Sequence, residues 1–358
     1  MIKIVLPFLT LLPLALLAEH QGANPLVIFS LAGAGIIPFA ALLTAATEAI
    51  AERVGPIPGA LITAAFGNAA ELIIAINGIR NGLVEVVKAS ITGAILNDLL
   101  LVVGVAMLAG GLRHGEQSFQ PRVARANGAA MMLAVIALAL PASLISTSGI
   151  QSEASIHSLS LFVAAILIII YWLTLMFSLF SSRVSIPSFC GQPALESPGE
   201  STTESQNLIP WLLLLLGSTA GIAVQSEIFV TALEPATSVL GFSTLFTGVL
   251  IIPIVGGFSE YIPAVNSALK NNMDLPLSLA VGSSLLMALL IAPALVLYSN
   301  AIGQPMNLDF SSFEVITLVL SIIIVNLVNM DARSNWLEGA LLMATYLIIG
   351  AAFFYFPA

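Results

Sequence analysis

Long apolar runs separated by short polar segments make up almost the whole chain. The runs are near twenty residues in length, which is what a helix needs to cross the hydrocarbon core of a bilayer. The pattern therefore predicts an all-α membrane protein with about eleven transmembrane helices. The predicted helices cover residues 3–18, 25–46, 57–79, 84–110, 122–142, 156–181, 208–227, 238–269, 276–298, 312–329 and 335–356.

One long polar stretch, from Ser182 to Asn207, interrupts this pattern and predicts a flexible linker because it is rich in Ser, Pro, Gly and Glu. The predicted organisation is an N-terminal transmembrane helix at 1–20, a five-helix repeat at 21–181, a cytoplasmic linker at 182–207 and a second five-helix repeat at 208–358. An odd number of helices in each half gives the two repeats opposite orientations. Inverted repeats of this kind are typical of secondary transporters, whose substrates bind near the bilayer midplane.

Positive charges segregate strongly if the predicted helices alternate across the membrane. Eight Lys and Arg side chains fall on one side, and only Arg80 and Lys88 fall on the other. Because cytoplasmic loops carry the excess of positive charge, we expect the N-terminus and the linker in the cytoplasm and the C-terminus outside, most simply in a plasma or inner membrane. The eight residues are Lys3, Arg53, Arg113, Arg122, Arg125, Arg183, Lys270 and Arg333.

Composition excludes several other classes of function. Hydrophobic residues make up 58% of the 358 positions and charged residues only 8%, so the lipid bilayer is the expected environment. A net charge of −9 with ten scattered Lys and Arg argues against nucleic-acid binding. Cys190 is the only cysteine and the three histidines are separated, which argues against a disulfide or a zinc site. We expect no bound cofactor, only transported ions.

Two glutamates, Glu71 and Glu260, stand in apolar stretches among small residues. A charged side chain at the centre of a membrane helix costs about 2.5–3.5 kcal/mol, so such residues usually face a partner or a water-filled cavity. Placing the two stretches in register also aligns two polar pairs and one glycine pair without a gap, and acids at matching places in the two halves predict an ion pathway. These aligned pairs are Asn77 with Asn266, Glu85 with Asp274 and Gly93 with Gly282.

Helical spacing predicts that Asn68 and Gly67 share a helix face with Glu71. A carboxylate and an amide oxygen on one face suit a hard cation such as Ca²⁺, which takes six to eight oxygen ligands. The alternative is an interhelical hydrogen bond that only holds the bundle together.

Glycines precede the second glutamate, at Gly257 and Gly256, three and four residues before Glu260. Pro263 lacks an N–H, so the carbonyl of Ser259 loses its helical donor and becomes a candidate cation ligand. A further proline lies upstream, and together these residues predict a kink or break near the glutamate. An ordinary packing kink is the alternative.

A third acid, Asp98, follows Asn97 within the next apolar run. It is as costly in a membrane as the two glutamates and should meet the same cavity. The aligned positions in the second half are the apolar Leu286 and Met287, although Ser283 lies one turn away. The predicted site is therefore asymmetric, with more side-chain oxygen from the first half.

Several motifs resemble the calcium/proton antiporter (CAX-type cation exchanger) family, within the wider cation/calcium exchanger group. They are GNAAELIIAI from Gly67, VVKASITGAI from Val86 and LLLVVG from Leu99, and the segments ERVGPIPGALITAAFGNAAEL and SNWLEGALLMATYLIIGAAFFY are also similar. The resemblance implies eleven helices in two inverted repeats and exchange of a cytosolic cation, most simply Ca²⁺, for protons. It also implies that Glu71 and Glu260 bind cation or proton, with Asn68 as a partner.

The chain departs from the family pattern at both halves of the expected site. The second signature of the family resembles GNAAEH followed by GSATQ, but this chain has Gly257, Tyr261 and Leu286 where the amide, histidine and glutamine are expected. Asn97 and Asp98 replace the usual serine and asparagine of the first half.

The leading hypothesis is an antiporter in which Glu71 and Glu260 are alternately protonated and cation-bound, with Asp98 as a further ion-binding or proton-binding group. The supporting residues are Asn97, Ser259, Gly256, Gly257 and Ser283. One alternative keeps the fold and exchanges Na⁺, K⁺ or Mn²⁺ for protons. Others are an intramembrane enzyme with an acid dyad, as in aspartyl membrane proteases, and a scaffold that does not transport.

Overall fold

The computed structural model describes residues 6–120, 131–132, 135–136, 138–143, 153–180 and 207–355. Six helices in this part of the chain are long and apolar enough to cross a membrane, and a seventh span is added if one bent helix pair is counted as a unit. The all-α class is thereby confirmed. The number eleven stays a prediction, because the helix expected at 122–142 lies largely outside the described residues. The predicted linker at 182–207 also lies outside them, except for Asn207.

The first half begins with a short 3-10 helix at Leu6–Thr10, and seven α-helices with both ends among the described residues follow it. The segment at Asn97–Val102, between α5 and α6, is π-helical, with hydrogen bonds that span five residues instead of four. Residues 138–143 are also helical. The labelled helices are α1 (Leu11–His20), α2 (Pro25–Val54), α3 (Pro56–Phe66), α4 (Ala69–Arg80), α5 (Val84–Leu96), α6 (Val103–His114) and α7 (Glu153–Phe180).

The second half repeats much of this order. Two segments, Thr247–Ile251 and Met287–Ile291, are π-helical, and the second of these coincides with the π-helical segment of the first half when Glu71 is aligned with Glu260. The helices are α8 (Ile209–Leu240), α9 (Thr244–Phe246), α10 (Ile252–Gly256), α11 (Phe258–Ala268), α12 (Asp274–Leu286), α13 (Ala292–Ala301), α14 (Ser312–Val328) and α15 (Trp336–Tyr355).

The helices form two compact units, each drawn from both halves of the chain. The first unit contains the described residues of 6–81, 207–242 and 255–259. Its principal contact runs along α2 and α8, where Phe29 stacks on Phe229 with ring centroids 4.5 Å apart. Gly221 of α8 lies directly against the Phe39 ring of α2. Small residues allow two membrane helices to approach closely enough for such contacts.

The second unit contains the remaining described residues and is also packed through glycines. Gly93 of α5 lies against the backbone of Val249, and Gly248 lies against Ala89. No room exists for a Cβ atom at either glycine, so the π-helical segment at Thr247–Ile251 lies directly on α5.

A two-stranded antiparallel ribbon at the helix ends of the second unit was not predicted. Strand β1 (Glu116–Ser118) pairs with β2 (Arg333–Asn335), so that Gln117 lies opposite Ser334. The Gln117 amide donates to the carbonyl of Ala268 and to the side chain of Asn271, both at 2.9 Å. The ribbon therefore holds the end of α11 in place.

Candidate ion-binding site

The first glutamate lies just after a break between two helices. The expected continuous helix at 57–79 is wrong, because α3 ends at Phe66 and α4 starts at Ala69. Asn68 has a non-helical backbone, with φ −111° and ψ 30°. Glu71 is consequently the third residue of α4, where the N–H groups of a helix start favour negative charge. Asn68 immediately precedes this helix and does not occupy the same face of a longer one.

Glu71 packs against a glycine from the other half of the sequence. A Cβ atom at Gly256 would lie 3.1 Å from Cγ of Glu71 and 3.5 Å from Cδ1 of Ile74. Helix α10 ends at Gly256 and the next helix begins beyond Gly257, so Gly256 and Glu260 lie in different helices. Gly256 instead provides the close approach to Glu71.

Asn77 anchors the Glu71 helix to α8. Its side-chain amide donates to the hydroxyl of Ser226 and, at 3.4 Å, to the carbonyl of Ala223. Asn77 is buried, whereas Asn266, the residue aligned with it in the second half, is exposed. Sequence reasoning aligned the two asparagines but did not predict this contact, because nothing in the local pattern indicates that Ser226 faces α4.

The second glutamate also lies just after a helix break. The segment Thr244–Gly256 and the helix α11 are bent by 60° relative to each other. This break was expected from the glycines and prolines, and it is confirmed. Ser259 and Glu260 are the second and third residues of α11, so Glu260 occupies the same position in its helix as Glu71 does in α4.

Two carboxylates in the second unit are held by consecutive serines of α12. The hydroxyl of Ser283 donates to Oε1 of Glu260 at 2.8 Å, and the hydroxyl of Ser284 donates to Oδ2 of Asp98 at 3.4 Å. Asp98 is 3% exposed and also accepts a hydrogen bond from the amide of Asn97 at 3.4 Å. Helix α12 therefore contacts both Glu260 and Asp98, and Asn97 contacts Asp98.

Tyr261, the residue after Glu260, also contacts this group of polar side chains. Its hydroxyl donates a hydrogen bond to Oδ1 of Asn97. Asp98, Glu260 and Tyr346 also lie close enough to interact electrostatically with this hydroxyl. In the sequence, Tyr261 stands out only as a departure from a motif, because a contact between residues 164 positions apart depends on the fold.

The π-helical segment at Asn97–Val102 contains both Asn97 and Asp98. Single π-helical turns inside α-helices occur frequently at functional sites, since the extra residue changes the direction of the side chains that follow. Both of these polar residues are buried, which is costly unless they are hydrogen-bonded. The change from α-helix to π-helix thus occurs where the buried polar residues Asn97 and Asp98 lie.

The described residues contain no group of three or more His, Cys, Asp or Glu placed to hold a metal ion. Acidic side chains alone therefore do not form a metal site there. A hard cation bound near Glu260 and Asp98 would also need hydroxyl, amide, carbonyl or water oxygens. The serines and Asn97 offer such oxygens. Glu71, Asn68, Gly256, Gly257 and Ser259 belong to the other unit, and the pairing of Glu71 with Glu260 stays a prediction.

Apolar spans, helices broken beside acidic residues and a repeated order of elements define a secondary ion transporter of the membrane. The chain matches the family described as Sodium/calcium exchanger protein over residues 24–180 and 210–355. It belongs to this family.

Curated relatives match over nearly the whole chain. A protein named Ca(2+)/H(+) antiporter from Aphanothece halophytica is 46% identical, and the alignment covers 98% of this chain and 95% of the relative. Ca(2+)/H(+) antiporter ChaA of Bacillus subtilis is 34% identical, with 96% of each chain covered. Both relatives are named as antiporters rather than enzymes.

Solved structures show the same fold. The structure of native YfkE superposes with a TM-score of 0.84 at 31% identity, covering 99% of this chain and all of the other. The H⁺/Ca²⁺ exchanger CAX has a TM-score of 0.72 at 17% identity, covering 98% of this chain and 91% of the other. The second likeness concerns the fold alone.

Proposed function

We propose that this protein is a secondary active antiporter that exchanges Ca²⁺ for protons. The observation that carries the proposal is the repeated placement of Glu71 and Glu260 as third residues of helices that start after a break. Full-length relatives named Ca(2+)/H(+) antiporter support the choice of ions. The protein is thus a transporter and not an acid-dyad enzyme, and the proposal requires no cofactor.

Competition between the two ions makes the exchange obligatory. Each glutamate is either protonated or engaged with the cation, because both ligands use the same negative charge. Asn68, next to the start of the Glu71 helix, supplies an amide oxygen, and Ser283 orients the Glu260 carboxylate by donating to it. Ca²⁺ loading releases protons to one side, and proton loading releases Ca²⁺ to the other.

The orientation follows from the segregation of Lys and Arg along the chain. We propose that the N-terminus and the 182–207 linker are cytoplasmic and that the C-terminus is outside, in a plasma or inner membrane. Under this arrangement the protein removes Ca²⁺ from the cytoplasm when the proton gradient is directed inward.

Reconstitution in liposomes tests the function directly. Purified protein in vesicles with an acidic interior and a trapped pH dye should release protons only when Ca²⁺ is added outside and should accumulate Ca²⁺ at the same time. Protein-free vesicles and vesicles containing an ionophore calibrate the leak and the full response. Proton release that is indifferent to Ca²⁺ would exclude the proposed ions.

A different cargo within the same fold is the second candidate function. Asp98 adds a carboxylate to the second unit, and Leu286 presents a buried apolar side chain where the family pattern has an amide. Since carboxylate and carbonyl ligands suit Mn²⁺ as well as Ca²⁺, the vesicle assay should include Mn²⁺, Na⁺ and K⁺. Proton release with one of these ions and not with Ca²⁺ would favour this candidate.

A further inference from the structure

We infer that Tyr261 is a positioning residue that sets cation affinity and selectivity: acting through Asn97, it holds the Asp98 carboxylate in place as an additional oxygen ligand for the divalent cation. The inference rests on the proposed exchange function, since it names a further determinant of the same cation binding. It is carried by a chain of hydrogen bonds in which Tyr261 is the outermost member.

The chain of hydrogen bonds has a defined direction. An ionised carboxylate only accepts hydrogen bonds, so Asp98 requires the NH₂ group of Asn97 on its side. The Asn97 carbonyl oxygen then faces Tyr261, whose hydroxyl donates to it. Ser284 donates to the other carboxylate oxygen of Asp98. Tyr261 therefore fixes the amide of Asn97, and Asn97 together with Ser284 fixes Asp98.

Burial makes this arrangement sensitive to the loss of a single hydroxyl. Asn97 and Ser284 are fully buried, and Asp98 is nearly so. A buried acceptor that loses its donor pays the cost of desolvation without compensation. Replacing Tyr261 by Phe would leave the ring in place and remove the donor to Asn97, so that the amide could turn away from Asp98.

The same contacts join two departures from the family pattern. Tyr261 stands in the second signature and Asn97 in the first, yet their side chains bind each other directly. Leu286 contributes no oxygen at the position where the pattern has an amide, whereas Asp98 introduces a carboxylate. We interpret the Tyr261–Asn97 hydrogen bond as the contact that allows the Asp98 carboxylate to replace the missing amide as a cation ligand.

A second buried hydroxyl points to a ligand near Asp98. Tyr346 of α15 is 2% exposed, and its hydroxyl has no hydrogen-bond partner among the described residues. It is also within electrostatic range of Asp98. Buried hydroxyls are nearly always satisfied by protein or water, so a cation-bound water beside Asp98 would give Tyr346 the partner that it lacks.

The test measures Ca²⁺ dependence of proton release in liposomes for Tyr261→Phe, Asn97→Ala and the double variant. Loss of one buried hydrogen bond should raise the KM for Ca²⁺ about five- to tenfold and leave kcat within about twofold. The preference for Ca²⁺ over Mn²⁺ should change in the same variants. Because Tyr261 acts through Asn97, the double variant should resemble Asn97→Ala and show no additive loss.

Tyr298→Phe provides the matched control, since it removes a half-buried tyrosine hydroxyl from α13 in the same unit. An unchanged KM and selectivity in Tyr261→Phe, or additive losses in the double variant, would overturn the inference. If one single variant does not fold, the other tests the same chain of hydrogen bonds at the neighbouring member. A wild-type protein that exchanges no Ca²⁺ would instead overturn the proposed function.

Discussion

The helices of Glu71 and Glu260 start in the same way but surround their glutamates differently. Each glutamate is the third residue after a break. Glu71 packs on Gly256, and its helix is anchored by a distant asparagine, Asn77. Glu260 accepts a hydrogen bond from Ser283, and the next serine of the same helix donates to a second acid, Asp98. The repeat thus preserves the backbone position of the acid, while side-chain ligands have diverged between the halves.

The largest effect should come from neutralising either glutamate. Glu71→Gln and Glu260→Gln each remove the charge for which Ca²⁺ and protons compete, and exchange should fall on the order of a hundredfold, equivalent to about 3 kcal/mol. Ca²⁺-driven proton release in liposomes measures this loss. Glu234→Gln, at an exposed position of α8, is the control and should remain active. Normal exchange by both glutamate variants would show that neither Glu71 nor Glu260 binds the exchanged ions.

Filling the space beside Glu71 should produce the next largest effect. Gly256→Ala places a methyl group 3.1 Å from Cγ of Glu71, and such overpacking typically costs about 1–3 kcal/mol. We expect Ca²⁺ exchange to fall about tenfold. Gly217→Ala is the control, because a Cβ atom there meets nothing within 4 Å. Equal rates for the two variants would show that Glu71 does not depend on this glycine.

Removing the hydroxyl that binds Glu260 should have a comparable effect. A hydrogen bond to a charged group contributes about 1.5–3 kcal/mol, so Ser283→Ala should raise the KM for Ca²⁺ about tenfold or more. Ser278→Ala changes a buried serine of the same helix and should leave the KM unaltered. The Ca²⁺ dependence of initial rates gives both values, and a rise in KM for Ser278→Ala alone would contradict the assignment.

The smallest effect should come from the anchor of the first glutamate helix. Asn77→Ala removes the hydrogen bond to Ser226, and a net loss of about 1 kcal/mol should slow exchange about three- to fivefold. Asn266→Ala is the matched control at the aligned, exposed position of the second half. If the two variants behave alike, the asymmetry between the halves does not extend to this contact.

The sequence predicts the helices and the buried acids better than it predicts the helix breaks. The break before Glu260 was predicted because glycines and prolines mark it, whereas the break before Glu71 involves only Gly67 and Asn68. Neither residue excludes a continuous helix, so the pattern of apolar residues favoured one. The conformation there depends on packing in the folded unit, as with the close approach of Gly256 to Glu71.

Contacts between distant residues were the least predictable feature. Asp98 was identified because an aspartate in an apolar run is costly, but its bond to Ser284 joins residues 186 positions apart. The three-residue strands at Glu116–Ser118 and Arg333–Asn335 carry no pattern of their own and form only because folding brings them together. Local propensity identifies the elements, and tertiary packing decides which polar groups meet.

Calorimetric titration of the purified protein with Ca²⁺ tests the central claim most directly. Carried out in two buffers with different enthalpies of ionisation, it gives both the affinity and the number of protons released on binding. We predict that Ca²⁺ binding releases protons, weakens as the pH falls, and is lost together with proton release in Glu71→Gln and Glu260→Gln. Tight Ca²⁺ binding without proton release, or binding unchanged in both variants, would contradict the account.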